Sequence, residues 1–218
     1  IVNAQFTYIA ATAQLSVNAE HSGRGGKLVV WADDSTRVYG ALSARGGQLA
    51  GDGGHIETSG KRYLDVTRAA DASSPQGRAG LWLLDPHNVT IQSGTGTLDG
   101  QTPNFSPGAD DSTIDVAIIT AALNLGTSVT VDTGSTGSQA GDITVATAIN
   151  KTACGAASLT LNAANDILLN ASVTSSAGAL DLHLVSGGTT ILGTTTVNLL
   201  GGTMHVTGGS GAMSSSAG

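Results

Sequence analysis

The sequence predicts an all-β fold, a parallel β-solenoid, on three observations. The first is composition. Glycine accounts for 31 of 218 residues, aromatics for 3% and charged residues for 11%, against a usual charged share of roughly 25%. Such a chain cannot build a thick core around Trp and Phe. It can build a thin core of Val, Ile, Leu and Ala, closed by small residues at tight corners. The second is pattern. Short runs of β-branched residues alternate with small polar ones and are bounded by Gly, Asn, Asp or Ser. The third is period. Gly141-Asp142-Ile143-Thr144-Val145 is echoed by Asn165-Asp166-Ile167-Leu168-Leu169 and by Thr189-Thr190-Ile191-Leu192, so that Ile143, Ile167 and Ile191 lie 24 residues apart each time. Between these runs, Leu161 precedes Leu182 by 21 residues and Leu182 precedes Met204 by 22. A period of about 20–24 residues holding two or three short strands fits one solenoid coil.

One coil cannot bury its inner face alone. Stacking pairs each strand with its counterpart about 4.8 Å away, so backbone partners lie between coils and like residues align into core columns. At this period the chain makes on the order of ten coils, about 50 Å of rod. Asn150, Asn162, Asn165 and Asn170 suit coil corners, where Asn tolerates the left-handed conformation, and stacked asparagines can form hydrogen-bonded ladders.

Along the chain, residues 1–91 form a first solenoid block. Glycine pairs at 25–26, 46–47 and 53–54 separate the strand-like runs 27–31, 37–43 and 55–58. Residues 92–112, with Gly94, Gly96, Gly100, Pro103, Pro107 and Gly108, read as an excursion or hinge. Residues 113–218 read as a repetitive rod, and Ile114–Leu125 is the one stretch able to make a short helix. Asp110-Asp111-Ser112 is its N-cap region and Gly126 its stop. The chain opens inside a strand pattern and closes in a Gly-Ser run, as expected for a piece of a longer protein.

The formal charge of −7 is unevenly spread. Residues 1–78 hold eight basic and seven acidic side chains, whereas residues 79–218 hold only Lys151 against nine Asp. This balance argues against binding to nucleic acid, which needs clustered Lys and Arg, and disfavours an anionic membrane surface. The single cysteine, Cys154, rules out an internal disulfide and a cysteine-based metal site. It is expected as a small buried residue in a core column, with an intermolecular crosslink as the alternative. No apolar run reaches the length of a membrane-spanning helix.

Four strings in residues 23–91 carry a family resemblance: GGKLVVWADDST at 25–36, YGALSARGG at 39–47, GDGGHIETSGKRYLDV at 51–66 and GLWLLDPHNVTI at 80–91. In order and spacing they resemble the filamentous-haemagglutinin-like adhesins, the large exoproteins of bacterial two-partner secretion. The match covers about a third of the chain, and the remainder resembles the family's rod in style only. The resemblance implies a right-handed parallel β-helix that is secreted through a dedicated outer-membrane transporter and displayed at the bacterial cell surface. It further implies a role in adhesion, aggregation or biofilm formation, with a receptor or glycan on a host or neighbouring cell as partner. The segment looks like the part that follows the family's secretion-signal domain. Unpaired strand edges at solenoid ends also allow end-to-end self-association into filaments.

No catalytic, cofactor or metal residues are expected. Asp33-Asp34 and Asp110-Asp111 adjoin Ser or Thr at turns and read as solvated turn carboxylates. The alternative places them in a polysaccharide lyase or hydrolase, which needs acidic and basic groups converging in one groove. The glycine-rich segment 46–54 is only loosely similar to calcium-binding repeats and lacks their spacing. The five histidines, His21, His55, His87, His183 and His205, lie far apart in sequence without ligand spacing. Ser43 and Ser59 stand in no nucleophile context. Trp31 and Trp82 are expected to pack at a coil edge or under a loop rather than to stack on sugars. Thr194-Thr195-Thr196 does not recur in register, which argues against a flat threonine face.

Overall fold

A computed structural model of the chain describes residues 3–94, 110–134, 139–208 and 214–215. It is a β-solenoid of parallel strands in about 7 turns with one short helix. Each coil visits three faces in turn. The first coil contributes β1 (Phe6–Ile9), β2 (Gln14–Ser16) and β3 (Lys27–Ala32), and the second β4 (Ser35–Val38), β5 (Ala41–Ser43) and β6 (His55–Gly60). The third has β7 (Tyr63–Val66), a bridge at Asp71 and β8 (Leu81–Asp85). Next come β9 (Val89–Gln92), β10 (Ser112–Asp115), helix α1 (Val116–Leu125) and β11 (Ser128–Asp132). Three coils follow: β12 (Ile143–Val145), β13 (Ile149–Lys151) and β14 (Ala157–Ala163); β15 (Ile167–Leu169), β16 (Val173–Ser175) and β17 (Leu180–Ser186); β18 (Thr190–Leu192), β19 (Val197–Asn198) and β20 (Met204–Gly208), with β21 (Ser214–Ser215) beyond them.

The longest face is a 7-stranded sheet, β3-β6-β8-β11-β14-β17-β20, with every neighbouring pair parallel. Alternation along each strand turns one set of side chains inward. One inward column runs Leu28, Ile56, Trp82, Val129, Leu159 and Leu182, and all but Leu28 are fully buried. A second face repeats this through Val89, Ile143 and Ile167, and a third through Ile149 and Val173. The result is a single thin apolar core running the length of the stack.

Seven coils rather than ten arise because the period is not uniform. Successive strands of the long sheet are offset by 23 and 22 residues at its C-terminal end, from Ala157 to Leu180 and from Leu182 to Met204. Near the N-terminus the offsets are 28 and 26, from Lys27 to His55 and from His55 to Leu81. The longest step, 47 residues from Leu81 to Ser128, also holds β9, β10 and helix α1, and part of the extra length lies in a stack of loops after the third face. Their backbones bond to one another, with Leu49 N–H donating to His21 O at 2.8 Å and Gly46 N–H to Ser73 O at 2.9 Å. Each loop is closed across its own base, as where Gly54 N–H donates to Ala44 O at 2.7 Å. A Cβ on Gly53 would overlap the carbonyl oxygen of Ala72, which is why glycine closes this corner.

Several registers differ from the sequence reading. Ile143 pairs with Ile167, but Ile167 pairs with Thr190, which leaves Ile191 on the exposed side. Leu161 pairs with Leu184, not Leu182; the Leu182–Met204 pairing agrees. Asn150 and Asn162 lie within β13 and β14 rather than at corners. Asn165 and Asn170 flank β15, and the only left-handed non-glycine residues among those described are Cys154 and Leu200. The asparagines do not stack on each other. Asn162 donates to Asp132 at 2.6 Å and Asn165 to Asp142 at 2.8 Å, making Asn–Asp rungs.

Most of the segment 92–112 lies outside the described residues; its flanks are β9 and β10. On the second face, β10 pairs with β9 in parallel, and β9 then pairs with β12. A hydrogen bond from Leu64 N–H to Ser112 Oγ at 3.0 Å joins β10 to β7. The spatial order is therefore β7, β10, β9, β12, out of chain order by one step. The helix begins at Val116, capped by the Asp115 side chain, because Ser112–Asp115 is taken up as a strand; Gly126 ends it in a left-handed conformation. Helix α1 takes the place of a strand on the third face. A helix is about 10 Å across, the height of two rungs of about 4.8 Å, and the second face carries two strands, β10 and β9, at that level.

Candidate functional site

The polar surface is built from side chains that reach the coil above or below. At the corner between the long sheet and the second face, Asp33 forms an ion pair with Lys61 at 2.9 Å, and Arg62 holds Asp34 at 3.1 Å and Asp110 at 3.0 Å. Arg62 thus ties β10 to the first coils, and the two aspartate pairs of the sequence meet across it. The lysine beside Asp33 holds that carboxyl below its ordinary value. Lys61 also lies 5.8 Å from the Trp31 ring centroid.

Asn88 performs the same task one corner further on. Its side chain donates to Asp111 at 3.1 Å and accepts from the backbone of Gly141 at 2.8 Å and Asp142 at 2.9 Å. It lies in the string GLWLLDPHNVTI, yet nothing in its neighbours marks it, because its partners are 23 to 54 residues away. Further along, Asp166 accepts from Thr189 N–H at 2.6 Å, and Asp181 from the Thr203 backbone and hydroxyl at 2.8 Å each.

Two carboxylates come together at the end of the long sheet's strands. Asp85 ends β8 and Asp132 ends β11, one rung apart on the outer face of the long sheet. Asp132 is held by Asn162 and by Gly134 N–H at 2.8 Å. Asp85 lines a small recess of about 50 Å³ with Trp31, Lys61, His87 and Gly134. Burial pushes its pKa from 3.8 up to about 6, with Asp132 and Glu57 adding to the rise. A carboxyl whose folded pKa is raised contributes stability that is fully present below about pH 3.8 and is lost as the pH rises through about 6. Asp85→Asn is therefore expected to stabilise the chain at pH 7.5 by about 1 kcal/mol, a figure reduced for partial solvent screening. The gain should vanish near pH 4. Thermal melts of both proteins at the two pH values check this, and equal gains at both would count against it.

Beside the sheet, the corners 74–79, 125–128 and 154–158 enclose an open groove of about 750 Å³ along the stack. Its charged lining residues are Arg78, which pairs with Asp52 at 2.8 Å, and Asp181. Cys154 lies here and is exposed, contrary to the core position expected for it. The inward position on that strand belongs instead to Lys151, which is fully buried. Its ammonium donates to the carbonyls of Ala153 at 2.7 Å, Cys154 at 3.2 Å and Ala177, and burial lowers its pKa. Ser175, the register partner of Lys151, caps the next corner by donating to Gly178 O at 2.7 Å.

The other residues singled out in the sequence fall as follows. Trp82 lies in the core rather than at an edge, its indole N–H donating to Thr58 Oγ1 at 3.2 Å. Ser43 donates to Asn18 and Ser59 to Glu57, while Thr194–Thr196 forms a corner. The segment 46–54 belongs to the stacked loops. Among the described residues no group of three or more His, Cys, Asp or Glu converges. His183 and His205, distant in sequence, are brought to adjacent rungs. Their separation of 22 residues matches that of Leu182 and Met204, which was the available signal. No protein-family model matches the chain, and no curated protein matches it.

Proposed function

We propose that the chain is a structural segment of a large secreted bacterial surface adhesin or extracellular filament, acting in adhesion, aggregation or biofilm formation without an active site of its own. The observation that carries this reading is the use of the exterior charge. Asp33, Asp34, Asp52, Asp110, Asp142, Asp166 and Asp181 each bond to a side chain or backbone group on another coil. Polar surface spent in this way holds coil to coil, as a load-carrying rod requires. The resemblance of residues 23–91 to filamentous-haemagglutinin-like exoproteins supports the same reading. It brings with it export by a two-partner outer-membrane transporter, location at the cell surface, and a receptor or glycan on a host or neighbouring cell.

The second reading is a polysaccharide lyase or hydrolase. The Asp85–Asp132 pair favours it, since a carboxyl with a raised pKa beside a second carboxylate is the arrangement acid–base cleavage uses. The two are separated by immobilising the purified chain, measuring retention of cells and of a glycan panel, and assaying the same glycans for new reducing ends or unsaturated products. Retention without product is expected; product formation that is lost in Asp85→Asn would establish the enzyme instead.

A further inference from the structure

We propose that His183 and His205 form a two-imidazole site for a divalent transition cation of the Zn²⁺, Ni²⁺ or Cu²⁺ class, bridging two coils on the outer face of the long sheet. His183 lies on β17 between Leu182 and Leu184, both fully buried, so strand alternation turns the imidazole outward. His205 is its direct register partner on β20. The ring centroids are 6.2 Å apart and the ring planes meet at 60°.

That separation suits a shared ion. A metal–nitrogen bond of about 2.1 Å, added to about 1.1 Å from ring nitrogen to centroid, puts the ion about 3.2 Å from each centroid. Two rings on one ion then stand at most about 6.4 Å apart, and about 5.2 Å apart at a tetrahedral angle. The present pair needs to close by about 1 Å to reach tetrahedral geometry, within reach of side-chain rotation at an outer face. Asp181 lies two residues before His183 on the same face. It is held by Thr203, and its charge interacts with His183, so it adds negative potential beside the site. Water completes the coordination. Imidazole donors select this class of ion over Mg²⁺ and Ca²⁺, which prefer oxygen. A bound ion clamps β17 to β20 and so stabilises the coil that ends in β20.

The test is titration of the whole chain with Ni²⁺ and Zn²⁺ by calorimetry at pH 7.5, with imidazole resonances followed by NMR. One equivalent is expected to bind with a dissociation constant on the order of 10 μM, and His183→Ala and His205→Ala each to weaken it at least about tenfold. Cys154→Ser and His87→Ala should bind as the parent does. Circular dichroism confirms that the variants remain folded. The proposal is overturned if the histidine variants bind as tightly as the parent, if the ion shifts other histidines instead, or if no binding is seen at millimolar metal.

Discussion

Replacing Trp82 by Ala is expected to cost about 4 kcal/mol of stability. Trp82 is fully buried in the inward column between Ile56 and Val129, at the third of seven strands in the long sheet. The chain has only two tryptophans, and the core is otherwise thin and aliphatic. A hole left here has no large neighbour to fill it. Coils contact only their nearest neighbours, so the damage weakens the junction on which the two halves of the stack depend. Trp82→Phe keeps most of the volume and removes the indole bond to Thr58, so it should cost about 1–2 kcal/mol. Denaturant midpoints measure both. A loss below about 1 kcal/mol for the alanine variant would mean that Trp82 is not a core residue.

Lys151→Ala is expected to cost about 3 kcal/mol. A buried ammonium is expensive to desolvate, and this one is offset by three carbonyls from two successive corners. Without it the Ala153 and Cys154 oxygens lose this donor, Ala177 O keeps only the longer bond from Ser175 Oγ at 3.3 Å, and the corner carrying Cys154 at φ 58° loses its anchor. Lys151→Met, which retains the aliphatic stem, should recover only the packing share, about 1 kcal/mol. The second readout is the Cys154 thiol. Its labelling rate should rise in both variants as the corner loosens, and an unchanged rate would separate Lys151 from that corner.

The solenoid was legible because its cause is local and repeated. Alternation along Leu159-Thr160-Leu161 and the recurrence of Asp-Ile at 142–143 and 166–167 are what a strand pays out once per coil. Register was less legible, because the step between strands of the long sheet varies, from 28 residues between Lys27 and His55 to 47 between Leu81 and Ser128 and 22 between Leu182 and Met204. A constant spacing of 24 puts Ile191 in the column that Thr190 fills, where its hydroxyl bonds to Ser186 at 3.0 Å. The position of β10 between β7 and β9 had no local signal, since it is decided by which rung Ser112–Asp115 meets after a long detour. The buried place of Lys151 was hidden too: charge argues for exposure, and only the three carbonyls around it reverse that argument. Of the surface features, the carboxylates at 33–34 and 110–111 lie at bends, but Asp33 and Asp34 are partly buried in ion pairs rather than solvated, and Arg62, the shared partner of Asp34 and Asp110, emerges only from the stacking.

Coil-by-coil stacking is measured most directly by distances between spin labels in one outward column. Val29, Thr160 and His205 occupy the first, fifth and seventh strands of the long sheet. With Cys154→Ser as background, labels at Val29 and Thr160 should lie about 19 Å apart and labels at Val29 and His205 about 29 Å apart, a constant step of about 4.8 Å per rung. Distances in that ratio, each with a narrow distribution, are the expected result. Equal distances, or a Val29–His205 separation shorter than that of Val29 and Thr160, would contradict the stack.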